Sequence, residues 1–194
     1  LRSLLGELII RNRRATSDVK FTKRYAKTIR IQLSKSEKEL YDSVSDIVRN
    51  QYAGSPQQVK MALRILQEEI GSIPPAAVST LESLKDKLPD SVAVSDLIRQ
   101  CNHLAFSEKV KVLIDVINKI PDKAIVFTKF RASHAAITTA MEKCGIPYSP
   151  LHGGLTRHEK EKSIKEFQHS SKVLVATDVG SEGRNLQFCN HIVN

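Results

Sequence analysis

The sequence has no run approaching the roughly 18 consecutive apolar residues that a membrane-spanning helix needs, so a membrane partner is not expected. Its first 14 residues hold apolar side chains but no long hydrophobic stretch followed by small residues at a cleavage site, so they do not read as a signal peptide. Cysteine is scarce: Cys101, Cys144 and Cys189 are odd in number and widely spaced, which argues against a disulfide framework and fits a reducing cytoplasm. None of the six histidines pairs with a cysteine at zinc-ligand spacing, so no metal site is expected. His152 stands before two glycines, and the other five histidines read as structural or exposed. Ser181 has no G-x-S-x-G turn around it and is not a nucleophile candidate.

What is present is an ordinary globular composition, 41% hydrophobic and 26% charged, in 194 residues. That length buries one sizeable core, or one core and a helical appendage. The net charge of +9 is concentrated. Arg11, Arg13, Arg14, Lys20, Lys23, Arg24, Lys27 and Arg30 face Asp18 alone between residues 11 and 30, a local excess of seven. Such a cluster suits a surface that meets phosphates. Charge alone leaves open a solvated or interdomain face.

From residue 34 to about 120 the apolar spacing is helical. Ser34 and Glu37 form a capping box before Leu40, Val44 and Ile47. Val59, Leu63, Leu66 and Ile70 mark a second helix, expected to end at Gly71 through a positive φ. Pro74 and Pro75 open a third, since proline is tolerated in a first turn. A shorter helix is expected near 94–101, and Ser107 caps another that Pro121 stops. Beyond Pro121 the period changes. AIVFT at 124–128 is a strand buried on both faces, 146–151 and 172–177 are further strands, and 191–194 begins a fourth. Helices ending at Gly145, or capped by Thr156 and Glu159, separate the first three. Strand and helix alternation at this spacing predicts an α/β fold with a parallel sheet and right-handed crossovers. A chain that opens mid-element and stops in a strand also reads as a piece of something longer.

In a parallel α/β sheet ligands bind beyond the carboxyl ends of the strands. The candidate loops are therefore Thr128, Lys129, Phe130 and Arg131, whose hydroxyl and two cations suit a phosphate backbone; His152, Gly153 and Gly154; and the polar stretch from Thr177 to Leu186. An aspartate after a strand also occurs in receiver-like phosphoacceptor domains, but those need an acidic pair after their first strand, where Lys129 stands here.

Taken together, these segments resemble the second motor lobe of superfamily-two helicases and translocases. KAIVFTKF resembles their motif IV, LHGGLTRHEKEKSIKEF the segment called IVa, and VLVATDVGSEGRNLQFCNHIVN motif V. SEGRNLQ, in place of the ARGLD of DEAD-box proteins, points to the Swi/Snf branch and its bacterial HepA/RapA-like group. LIIRNRRATSDVKFTKRYAKTIRIQLSKSEKELYDSV resembles that group's passage from the end of the first lobe into a helical insertion. The resemblance covers residues 1–52 and 107–194.

It implies a truncated RecA-like sheet preceded by a helical subdomain. The expected division is the end of the first motor lobe and a basic connector over 1–33, a helical insertion over 34–106 and a partial C-terminal lobe over 107–194. By the same resemblance Thr177, Asp178, His152 and Gly153 meet or lie near nucleic acid, and Gly183 and Asn185 face the nucleotide. The intact protein would use ATP and magnesium to move along double-stranded DNA and displace DNA-bound proteins. It would require an N-terminal motor lobe and work in the cytoplasm, on the nucleoid in a bacterium. A DEAD-box-like RNA helicase lobe and a non-enzymatic basic nucleic-acid-binding module are the alternatives. The chain has no G-x-x-x-x-G-K-[ST] loop and no Asp-Glu pair to hold magnesium. No catalytic residue is assigned, and the chain alone is expected to be inactive.

Overall fold

A computed structural model describes Lys23 and residues 25–104, 106–178 and 186–194. Arg11, Arg13, Arg14, Gly183 and Asn185 lie outside the described residues. The chain divides into two units, Leu1–Arg30 and Ile31–Asn194. The described residues of the first form no regular element, and the elements below belong to the second.

Four main helices come first: α1 (Lys35–Tyr52), α2 (Gln57–Ser72), α3 (Val78–Leu84) and α4 (Ser91–His103). Their apolar stripes meet in one core containing Leu40 and Val44 of α1, Leu63, Leu66 and Ile70 of α2, Leu81 and Leu84 of α3, and Leu97 and Cys101 of α4. Two expectations are corrected here. Gly71 lies inside α2, which runs on to Ser72 and ends at Ile73 in extended conformation (φ −152°, ψ 150°). The prolines then impose a 3-10 turn, Pro74–Ala77, before α3 begins. Proline 74 forces the residue before it out of the helical region, so Ile73 rather than the glycine breaks the spiral. The turn faces two cores: Ile73 and Ala76 pack with the sheet-side residues, Ala77 with the helical ones.

The α/β part follows as α5 (Glu108–Lys119), β1 (Ala124–Thr128), α6 (Arg131–Lys143), β2 (Tyr148–Leu151), α7 (Arg157–His169), β3 (Val173–Thr177) and β4 (His191–Val193). The sheet is parallel in the order β2-β3-β1-β4. Pro150 sits in β2, an edge strand, where its missing N–H costs least. Alternation along β1 and β3 separates two cores. Ala124, Val126, Val173 and Val175 face α5 and α6, whereas Ile125, Leu174 and Ala176 face Phe167 of α7. The connection from β1 to β2 moves across the sheet one way and that from β2 to β3 returns, so right-handed crossovers put α6 and α7 on opposite faces. Gly145 closes α6 with φ +66°, as its sequence position predicts.

One carboxylate ties the two parts of this unit together. Glu37, 5% exposed, accepts the Ser34 backbone N–H at 3.0 Å and the Ser34 hydroxyl at 2.8 Å on one oxygen, and the Glu108 backbone N–H at 2.8 Å on the other. It therefore caps α1 and α5 at once. Burial disfavours its charge, but the Ser34 and Glu108 hydrogen bonds and nearby Lys111 outweigh burial and hold the carboxyl below its ordinary value. A depressed carboxylate stabilises the fold above the unfolded-state value and loses that contribution as pH falls through the folded one. Glu37→Gln should cost about 1–3 kcal/mol at neutral pH, and the gap to wild type should narrow in urea melts taken below pH 4.

Candidate nucleic-acid interface

The parallel register sets Thr128 beside Thr177 as Cα partners, so β1 and β3 end level with one another. Thr177 is buried and Asp178 after it is exposed. β2 ends one step short, at Leu151 opposite Ala176, and hands the chain to His152. The loops after these strands thus leave from one edge of the sheet.

Two of the loops are in contact. The Arg131 guanidinium, at the start of α6, lies against Gly154: a Cβ on that glycine would stand 2.8 Å from Nη1 and 3.2 Å from Cζ. The second glycine of the turn is thus the one whose missing side chain admits the arginine. His152 Nδ1 accepts the Gly154 backbone N–H at 3.2 Å, which fixes the turn. Its ring meets the His134 ring edge-on, with centroids 5.1 Å apart and planes at 89°.

His134 is the residue that sequence reasoning missed. It is 5% exposed on α6, and its Nε2 lies 3.0 Å from the Val175 carbonyl of β3. A carbonyl only accepts, so Nε2 carries the proton and donates it. The ring joins the middle strand to the His152 turn. The available signal was its spacing three residues before Ile137 on the buried face of α6. Burial is the main cause holding His134 below its ordinary value, opposed by the Val175 hydrogen bond and aided by His152 and Arg131. Burial, then Arg131 and Lys160, lower His152 as well.

Lys129 stands apart from this cluster. It is exposed, and its ammonium pairs with Glu68 of α2, with the Phe130 ring 5.6 Å away. The two cations read together from the sequence therefore point to different partners, one to the helical region and one to the glycine turn. The adjoining pair Ser72 and Ser133 also links α2 to α6, with hydroxyls 2.9 Å apart.

Both imidazoles should titrate below 6.5 in a proton NMR experiment. Groups depressed in this way withdraw stability as pH falls between their unfolded and folded values. Arg131→Ala should move the His152 titration upward, since a nearby cation opposes a second one.

Comparison with known proteins agrees with this architecture. Residues 108–194 match the helicase conserved C-terminal domain. Over 200 residues, covering 100% of this chain and 35% of the relative, the chain is 34% identical to the Bacillus subtilis (strain 168) protein named uncharacterized ATP-dependent helicase YqhH. The chain thus spans only about a third (35%) of that relative's length. Among solved structures, the Pyrococcus furiosus Hef helicase domain superposes with a TM-score of 0.56 at 19% identity, over 80% of this chain and 45% of that one. The Sulfolobus solfataricus SWI2/SNF2 ATPase C-terminal domain gives 0.53 at 21% identity, over 84% and 67%. At such identities the likeness is one of fold. Residues 108–194 therefore match the helicase conserved C-terminal domain, on a RecA-like parallel α/β fold of the kind seen in the SWI2/SNF2 ATPase C-terminal domain.

Proposed function

We propose that this chain supplies part of the second motor lobe, with the helical region before it, in an ATP-dependent translocase that runs on double-stranded DNA. In this proposal 1–33 connects the two lobes, 34–106 is a helical insertion and 107–194 is the lobe itself. The observation that carries it is the joining of two strand-end loops, Arg131 on Gly154 and His134 on His152, beside Thr177 at one edge of a parallel sheet. Such an edge offers hydroxyls, a guanidinium and turn backbone to a polyanion without reading its sequence.

In this reading Thr128, Lys129, Arg131, His152, Gly153, Thr177 and Asp178 line the track, and Arg11, Arg13 and Arg14 add phosphate contacts. Gly183 and Asn185 would face ATP, which with magnesium supplies the hydrolysis chemistry when bound. The described residues fit only a minor share of that site, because the sequence lacks the phosphate-cradling loop and its lysine. An N-terminal motor lobe would provide them, and proteins bound to the DNA would be what the motor displaces, in the cytoplasm or on the nucleoid.

An ATPase assay of the chain should give negligible turnover, with activity appearing once the upstream lobe and the downstream segment are joined to it. Turnover by the chain alone would contradict the assignment, and stronger stimulation of the joined protein by RNA than by duplex DNA would favour the DEAD-box-like alternative. Duplex affinity should fall with salt at a log-log slope of about 0.9 per phosphate neutralised. Replacing Arg11, Arg13 and Arg14 by alanine should flatten that slope by roughly two to three, whereas an unchanged slope would assign the cluster to another face.

A further inference from the structure

We infer that Glu68 competes with nucleic acid for Lys129, so that a carboxylate of the helical region occupies the cation that the loop after β1 offers to a phosphate. This rests on the proposal that the loop after β1 meets the nucleic-acid backbone.

The Lys129–Glu68 pair is unlike its neighbours. Ion pairs such as Lys35–Glu39, Lys38–Asp42, Arg49–Asp46 and Lys162–Glu166 join side chains three or four positions apart on one helix. Helical spacing alone brings those together. Glu68 and Lys129 lie 61 positions apart, and only the docking of α2 beside the strand end makes them meet. The ion pair therefore falls at a candidate binding loop rather than on an arbitrary helix face.

Its chemistry allows exchange. An ammonium group is a compact point charge with rotatable donors, and it accepts a carboxylate or a phosphate oxygen with little geometric preference. The two side chains are 64% and 49% exposed, so an incoming anion reaches Lys129 without dehydrating a buried pair. Exposed ion pairs of this kind are weak, whereas a phosphate contact is supported by release of condensed counterions. Duplex DNA would displace the carboxylate, and Glu68 has a second cation within electrostatic reach in Arg64, one turn back on α2.

Displacement need not undock the helix. Ser72 still meets Ser133, and the Lys109 ammonium still donates to the Gly71 carbonyl at the end of α2. Glu68 changes partner while its helix stays in place. Its carboxylate thus lowers the affinity of the loop for nucleic acid most at low salt, where the ion pair is strongest, and so flattens the salt dependence of binding.

The test measures binding of a fluorescein-labelled duplex DNA to the 194-residue chain by anisotropy over a range of salt. It compares wild type, Glu68→Gln, Lys129→Ala and the double variant, with thermal melts to establish that each folds. Glu68→Gln should bind about two- to fivefold more tightly at low salt. Lys129→Ala should bind more weakly, with its salt slope reduced by about one. In the Lys129→Ala background the gain from Glu68→Gln should vanish. Should Glu68→Gln leave affinity unchanged while Lys129→Ala weakens it, competition is refuted and the phosphate-facing loop stands. A gain that persists without Lys129 reduces Glu68 to a general charge effect and also refutes competition. If Lys129→Ala changes nothing, or no protein binds the duplex, the phosphate-facing role of the loop falls and the competition with it. Glu68→Asp, which keeps the charge but shortens its reach, should lie between wild type and Glu68→Gln.

Discussion

The pairing of β1 with β3 is the constraint on which the rest of the structure depends. β3 is buried along its whole length and has β2 on one side and β1 on the other. Its side chains alternate between two apolar cores, and its backbone is spent on two parallel ladders. Nothing polar is tolerated along such a strand unless it finds a partner, so polar chemistry is confined to the strand ends. Parallel direction then gathers the carboxyl ends of β1, β2 and β3 on one edge. The threonines at 128 and 177, the histidine at 152 and the arginine at 131 are neighbours for that reason.

The helical region is joined to this sheet through a few polar contacts and one apolar hinge. Glu37 caps a helix on each side of the junction, and the 3-10 turn of Pro74–Ala77 gives the neighbouring Ala76 and Ala77 to the two different cores. Ser72, Gly71 and Glu68, all in the last turns of α2, reach Ser133, Lys109 and Lys129. Two of these three contacts lie against the loop after β1 or the helix it starts. Docking of the helices and presentation of that loop are consequently one structural event. In the competition inferred above, the carboxylate at that junction would share its cation with the anion the loop meets, which a solvated glutamate would not.

In the motor proposed above, the same edge would work together with a partner lobe. In that proposal the strand-end loops hold a polyanion, and the sequence has no lysine-bearing phosphate loop and no paired acids for magnesium. A relative whose length exceeds this chain nearly threefold, since the chain covers 35% of it, has room for those elements. On that proposal, grip and hydrolysis are divided between lobes, so that a nucleotide held at their junction would change how the two grip a common strand.

The fold was legible in the amino-acid sequence wherever one local rule acted alone. Capping boxes at Ser34 and Thr156, the αL glycine at 145 and the apolar pentapeptide at 124–128 each specify an element through contacts within a few residues. The end of α2 shows the limit, because two local signals competed there and the backbone restriction before Pro74 prevailed over the freedom of Gly71. The candidate loops were legible too, since a parallel sheet places ligands at its carboxyl ends whatever their side chains. Only tertiary structure decided which side chains those loops bring together. Lys129 and Arg131 lie two positions apart in the sequence yet turn to Glu68 and Gly154. His134 acquires a role from a carbonyl 41 positions away. Sequence spacing carries periodicity and capping, which are short-range, whereas these pairings depend on how two helices dock on a sheet, and that is set by the shape of the whole core.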